Sequence, residues 1–595
     1  MNQRIASVCL AASIAGGAVA QATVGYIELE GAPGDRPLEQ AAFLLEAADP
    51  TLTDYIATFE RIADGNEPVD AVVLRLREPT ISLSDALELG QAIEAASASG
   101  TPVHVFTENY GPIELVLGAH ADEVIAQSGG SVTLPGLYSE EIYLLDALEW
   151  LGLTPQFVQI GDYKGAADPF TNREPSEAWE ENISRLLDEL YAALRAPLLR
   201  GRELTDTQLD AAMDHLIFAT VSDGMELGLI DRELDRPALD DHLAAVYGDD
   251  FVYDDELVIP EGGMGVDLEN ASFFEVFATL QQVFGEQGRP EPTRDTIAVV
   301  HIDGPIMDGR SSSGGLTGSP TVGALTIRKA LAEIASEDLI RGVVVRIDSP
   351  GGSATASENI YLGLQQVRFE GKPVYGSVGD MAASGGYYIA CGTEQLWVND
   401  ASIVGSIGVV AGKLAAEEML GKLNMHVVGR ARGPRADLLG STQWSDDDLD
   451  LIRDRMQDVY DLFTERVVGA REGIDLDETA EGRLFAGEAA VERNMADGLG
   501  SLRDAVGALA DEIGLEPGTF DVRHYPEPPT FAELLEESFG GVHSGDAFRQ
   551  AAATELGRAA FGDHRWDAVS AHLEALMLLR DHPVVLVSPR ALIVR

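Results

Sequence analysis

Apolar residues fall along this chain in two rhythms. In the second-half segments AVVHI, GVVVRI, PVYGSV and QLWV they run almost without interruption, rich in β-branched types and bounded by Gly, Pro or Asn. That pattern predicts short strands buried on both faces. In SENIYLGLQQVR and DLDLIRDRMQDVYDLFTERVV they return every three or four positions, which is the spacing of one helix face. Strands apolar on both sides and separated by helices predict an α/β protein whose parallel sheet is covered on both faces.

The same order of segments occurs twice. VGYIELEGAP, reaching Gly31, answers IAVVHIDGPI, reaching Gly304, and Val72-Val73-Leu74-Arg75 with Pro79 answers Val343-Val344-Val345-Arg346 with Pro350. Gly100-Thr101-Pro102-Val103 answers Gly371-Lys372-Pro373-Val374, Val124 answers Val398, Tyr191 answers Tyr460, and Gly228-Leu229 answers Gly498-Leu499. The offset stays between 269 (Tyr191 to Tyr460) and 274 (Val124 to Val398). Chance matches between short apolar runs would not hold one offset, so the pattern predicts an internal duplication.

Length alone, 595 residues, suggests three or four domains at about 150 residues each. The duplication reduces that to two homologous units, 23–258 and 296–530, with a Gly-, Pro- and acid-rich linker at 259–295. Residues 531–595 form a C-terminal extension without a first-half counterpart. Residues 1–22 combine Arg4, a short apolar run and Ala18-Val19-Ala20, as in an export signal or a retained N-terminal anchor. No later stretch reaches 18 consecutive apolar residues. The expected location is therefore periplasmic or extracellular, with any membrane attachment made through the N-terminus.

Charge narrows the functions. With 41 Lys plus Arg against 99 Asp plus Glu, the net charge is −58, which repels phosphate backbones and anionic headgroups and argues against nucleic-acid partners. Two cysteines, Cys9 and Cys391, cannot make a disulfide framework or a thiolate zinc site. No metal, nucleotide or other cofactor is expected. The scarcity of lysine is more informative. Lys164, Lys329, Lys372, Lys413 and Lys422 are the only ones, and Lys164 stands alone in the first half.

Candidate chemistry collects at predicted strand ends, where open α/β sheets place their sites. Asp348-Ser349-Pro350-Gly351-Gly352-Ser353 follows GVVVRI; its two glycines allow close backbone approach and can turn N–H groups toward a developing oxyanion. Met381-Ala382-Ala383-Ser384-Gly385-Gly386-Tyr387-Tyr388 opens a helix after PVYGSV. A serine there has an uncrowded hydroxyl suited to nucleophilic attack, and the same position also suits an N-cap. Ile403-Val404-Gly405-Ser406-Ile407-Gly408-Val409 reads as a close-packed backbone crossing without chemistry of its own.

A Ser-His-Asp triad would need His301, with Asp303 two residues on, but covalent neighbours on one strand are not a converging set. Lysine is the remaining base. Lys164 lies in the glycine-flanked segment Ile160-Gly161-Asp162-Tyr163-Lys164-Gly165-Ala166-Ala167-Asp168-Pro169-Phe170, whose second-half counterpart, VVGRARGPRADLLGS, carries arginines that cannot deprotonate. Conversely, the first-half counterpart of the Ser384 segment, ENYGPIELVLGAHA, has no serine. Each half lacks what the other holds, which predicts one composite site. Such a lysine must be desolvated to lose its proton near neutral pH.

Together, SPGG, MAASGGYYIA, GSIGV and YKGAADPF within tandem halves resemble the signal peptide peptidase A (protease IV) family in its long two-domain form, over residues 23 to 530. The resemblance implies tandem ClpP/crotonase-like domains and a serine endopeptidase with a Ser/Lys dyad. It also implies peptide substrates such as signal-peptide remnants, membrane association and a homo-oligomer, a tetramer in the family. Carried over position by position, Ser384 is the nucleophile, Lys164 the general base, and the amides of Gly351 or Gly352 and of Gly385 the oxyanion hole. Asp348, Gly165 and Asp168 depart from the family's usual Asn, Ser and Glu. Two other readings use the same fold: a catalytically silent scaffold, separated from the enzyme by whether Ser384 acylates, and a crotonase-like acyl-CoA enzyme, separated by CoA binding.

Overall fold

A computed structural model describes residues 21–34, 50–258, 291–312 and 320–526, together with the strand at 585–587. The export segment to residue 20, most of the linker and most of the C-terminal extension lie outside the described residues. In chain order the first half gives β1 (Thr23–Glu30), β2 (Ala71–Arg77), β3 (Val103–Tyr110), β4 (Glu123–Val132), β5 (Thr154–Ile160), β6 (Ala219–Thr220), β7 (Arg232–Leu234) and β8 (Val252–Asp254). The second gives β9 (Thr296–Asp303), β10 (Ile306–Met307), β11 (Val322–Gly323), β12 (Ile340–Ser349), β13 (Gly351–Ser353), β14 (Val374–Ala383), β15 (Gln395–Val398), β16 (Ile403–Gly405) and β17 (Val409–Ala415). It continues with β18 (Leu484–Ala486), β19 (Gly498–Leu499) and β20 (Asp521–Tyr525), and β21 (Val585–Val587) follows.

The duplication is visible in the sheets. One has the order β6-β4-β3-β2-β1-β8 and the other β18-β16-β14-β12-β9-β20. In each, the central pairs are parallel: Val72 lies beside Val103 in the first, and Val343 beside Val374 in the second. Their strands are buried on both faces, as the uninterrupted apolar runs require: Val72, Val73, Leu74, Val343, Val344 and Val345 are all fully buried. The helices Leu83–Ser99 and Ala354–Phe369 each lead into a glycine with positive φ, Gly100 at +107° and Gly371 at +86°, directly before β3 and β14. The repeated Gly-x-Pro-Val is therefore a left-handed helix exit, a conformation glycine adopts without Cβ strain.

A third sheet, in the order β11-β10-β13-β21-β17-β5, joins the halves. Strand β5 leaves the first half and runs antiparallel to β17 in seven residue pairs, from Thr154 against Ala415 to Ile160 against Val409. Around this seam, Ala383, Ala401, Ile403, Leu484 and Ala486 of the second half pack into the apolar core of the first. A buried ion pair crosses it too: Arg346 of β12 donates to both carboxylate oxygens of Glu88 at 2.8 and 2.7 Å, with each side chain 3% exposed. No helix among the described residues is long and apolar enough to cross a membrane.

Candidate active site

Strand β14 extends beyond its apolar run to Ala383, so that Ser384 sits at the turn between it and the helix Gly385–Ala390. Ser384 has φ +56° and ψ −113°, a region that costs a non-glycine residue about 1–3 kcal/mol and persists only when neighbours enforce it. The neighbours do so. The Ser384 N–H donates to the Gly405 carbonyl at 2.8 Å, and the Ser384 carbonyl accepts from the Tyr388 N–H at 2.8 Å. The hydroxyl makes no cap bond, so the N-cap reading of this serine does not describe it.

Lys164 reaches that hydroxyl from the other half. Because β5 pairs with β17 as far as Ile160, the four residues that follow carry Lys164 to the end of the second-half sheet. Its Nζ lies 2.6 Å from Ser384 Oγ, 2.7 Å from the Ser406 carbonyl oxygen and 3.0 Å from Ser406 Oγ. Lys164, Ser384 and Ser406 are each fully buried. Burial holds the Lys164 pKa well below its ordinary 10.5. A neutral amine, with one lone pair and two N–H groups, has the capacity for all three contacts: one accepted from the Ser384 O–H and two donated to Ser406.

Ser406 is the residue the sequence reading missed. Its segment is indeed a tight crossing, with Gly405 at φ +112° and Ser406 at +54°, but both its carbonyl and its hydroxyl serve the lysine. Glycines make the room. A Cβ on Gly482 would lie 2.4 Å from Lys164 Cα, and one on Gly408 would lie 3.1 Å from Lys164 Cδ. The departures flanking the lysine have local explanations. Gly165, at φ +62°, packs against Trp179 so closely that a Cβ would fall 2.2 Å from its ring. Asp168 is buried and accepts from the Ser176 N–H at 3.0 Å, fixing the start of the helix Glu177–Gly201.

The glycine amides divide. Gly351 N–H donates to Ser349 Oγ at 3.1 Å, which commits it. The Gly352 nitrogen lies 3.1 Å from where a Gly385 Cβ would stand, so the backbones of Gly352 and Gly385 converge beside Ser384. Asp348 lies beside Asp303 in the β12–β9 register. His301 takes no part: its Nε2 is 2.7 Å from His524 Nδ1, on the strand pair β9–β20.

Among the described residues, one group has donors close enough to share a cation, within 4.8 Å: His104, Glu123 and His242. Glu123 already accepts from His104 at 2.8 Å, from His242 at 2.9 Å and from Arg232. Burial raises its pKa, but these bonds outweigh it and hold the carboxyl down to about 2. His104 Nε2 is taken up by the Tyr247 hydroxyl at 2.7 Å. The set closes on itself with hydrogen bonds and stands apart from Ser384, on β3, β4 and the helix Arg236–Tyr247.

Comparison with known proteins agrees with the duplicated architecture. The sequence profile of peptidase family S49 matches residues 95–240 and again 366–516. Protease 4 of Salmonella typhi is 27% identical over 517 residues, 86% of this chain and 78% of that protein. A chloroplastic serine protease, SPPA, of Arabidopsis thaliana is 27% identical over 404 residues, 66% of this chain and 56% of its own length. A protein of Synechocystis sp. that carries a protease name is 30% identical over 268 residues, 44% of this chain and 89% of that protein.

Proposed function

Since the chain belongs to peptidase family S49 and is a serine peptidase, we propose that Ser384 is its nucleophile and Lys164 its general base. The observation that carries this reading is the 2.6 Å contact between Nζ and Oγ in a fully buried setting where desolvation favours the neutral amine. Lys164 takes the Ser384 proton as Oγ attacks the peptide carbonyl. The N–H groups of Gly352 and Gly385 stabilise the tetrahedral oxyanion. The protonated lysine then donates to the departing amine, leaving an acyl-serine. Water that gives its proton to the same lysine hydrolyses the ester and restores Ser384. The Ser406 carbonyl and hydroxyl aim the lone pair of the lysine at Oγ throughout.

Extended apolar peptides are the substrates this reading favours, signal-peptide remnants among them. In support, a small apolar cluster of Ala167 and Val410, with Phe157, Ala166 and Met307 against it, lies along β10, β17 and β5 at the seam. Export through residues 1–22, membrane association, a homo-oligomer and unit boundaries at 23–258 and 296–530 belong to the same proposal. Size measurement in detergent and in its absence checks the assembly. The dyad is tested by Ser384→Ala and Lys164→Ala. Each should lower peptide hydrolysis by roughly 10⁴-fold or more, and a serine-acylating probe should label Ser384 in the parent chain. Full activity in either variant rejects the dyad.

A further inference from the structure

The seam sheet contains a strand that the hydrolytic machinery does not need. Strand β21 runs antiparallel to β13, with Val585 against Ser353, Leu586 against Gly352 and Val587 against Gly351. On its other side it meets β17, where Val585 pairs with Val410. Both flanking strands border the reactive groups. β13 holds Gly352, whose nitrogen lies close to Gly385, and β17 begins three residues after Ser406. Without β21, the facing edges of β13 and β17 would form a slot with unpaired backbone groups on both sides, which is the geometry that captures an extended peptide by strand addition.

The occupant has the attributes of such a peptide. Pro583-Val584-Val585-Leu586-Val587 is uncharged and rich in β-branched residues in a chain of net charge −58, and Ser588-Pro589 follows. Its direction matters as well. From Val585 to Val587 the segment advances along β13 from Ser353 toward Gly351, so its backbone comes level with the glycine pair whose Gly352 amide is assigned to the oxyanion.

We propose that the segment around Val585–Val587 is a built-in pseudo-substrate that fills the peptide-binding slot in cis and competes with incoming peptides. This rests on the reading of the Ser384 seam as the peptidase site. A chain ending at His582 should bind a labelled apolar peptide, in a Ser384→Ala background, about tenfold more tightly than the full-length Ser384→Ala chain. That is the reduction expected where a slot is open about a tenth of the time. With Ser384 intact, the shortened chain and Val585→Pro in the full chain, which removes a strand N–H, should lower KM by a similar factor with kcat unchanged. A synthetic peptide of residues 583–595 should inhibit the shortened chain competitively. The KM of the full chain should not change when the enzyme is diluted from micromolar to nanomolar.

Equal affinity in the two Ser384→Ala chains, or a synthetic peptide that fails to compete, overturns the proposal. So does relief on dilution, which would place the segment in a second copy. The binding measurement does not depend on turnover. Tighter binding to the shortened chain without Ser384 labelling in either parent would therefore fault the dyad and leave the occupied slot standing.

Discussion

The two halves of the chain put the same joint to opposite uses. In the first, β3 ends at Tyr110, and Gly111, at φ −98°, opens the helix Pro112–Ala119 with Glu114 accepting its N–H at 3.0 Å. That is a relaxed helix start with proline in the first turn. In the second, β14 ends at Ala383 and the equivalent joint holds Ser384 at φ +56° with no cap bond. The lysine segments differ in the opposite sense. Lys164 is fully buried, whereas residues 427–437 of its arginine-bearing counterpart are exposed throughout. At these two matched positions, strain falls on the Ser384 copy of the joint and desolvation on the Lys164 copy of the loop.

The largest test of that asymmetry gives the first half the chemistry of the second. Lys164→Arg places a cation that cannot deprotonate beside Ser384, and peptide hydrolysis should fall by about 10³-fold or more at every pH between 6 and 9. Activity that recovers in that range would show that the base lies elsewhere.

The duplicated arginines offer the next contrast. Arg346 is sealed against Glu88 of the other half, while the matching Arg75 pairs with Glu28 and with Glu108, which is 45% exposed. Glu88→Gln leaves a buried guanidinium without its counter-charge and should cost about 3–5 kcal/mol. Glu108→Gln should cost about 1 kcal/mol or less. Urea midpoints of the first unfolding transition measure both, and equal losses would break the comparison.

A smaller effect is expected at Ser406. Ser406→Ala keeps the carbonyl partner of the lysine and loses the hydroxyl at 3.0 Å, so kcat should fall about tenfold, near 1.4 kcal/mol, with KM nearly constant. An unchanged kcat would remove Ser406 from the aiming of the lysine.

The last prediction concerns stability. Because burial lowers the Lys164 pKa below the 10.5 of the unfolded chain, the unfolded state binds more protons between those two values. Stability from this group therefore rises with pH across that window and is lost as pH falls through it. Lys164→Met should raise Tm at neutral pH and flatten its rise toward alkaline pH, in an inactive protein. In the parent chain, kcat/KM should climb along a basic limb centred well below pH 10.5. A steeper Tm profile in Lys164→Met would contradict the desolvated amine.

Much of this was legible in the sequence because it rests on local pattern. Strand runs fixed by apolar content, the constant offset of the repeat and the complementary loss of serine and lysine all survive without knowledge of tertiary contacts. What escaped depends on backbone meeting backbone across the seam. The GSIG crossing shows small residues but not that Ser406 turns its carbonyl to an amine 242 positions away. The commitment of the Gly351 N–H to Ser349, which separates it from Gly352, is invisible in a doublet of identical residues. Strand β21 lies in the extension without a repeat partner, so periodicity offered no register for it.

The antiparallel pairing of β5 with β17 has one more consequence. The lysine is ordered by a strand that belongs to a sheet completed only when the second half is folded, and the serine is held at its strained angle by Gly405 of that same half. During synthesis, neither half alone places the amine of Lys164 beside the hydroxyl of Ser384. The proposed dyad is thus assembled by folding itself, because only the docking of the two halves brings Lys164 Nζ to Ser384 Oγ.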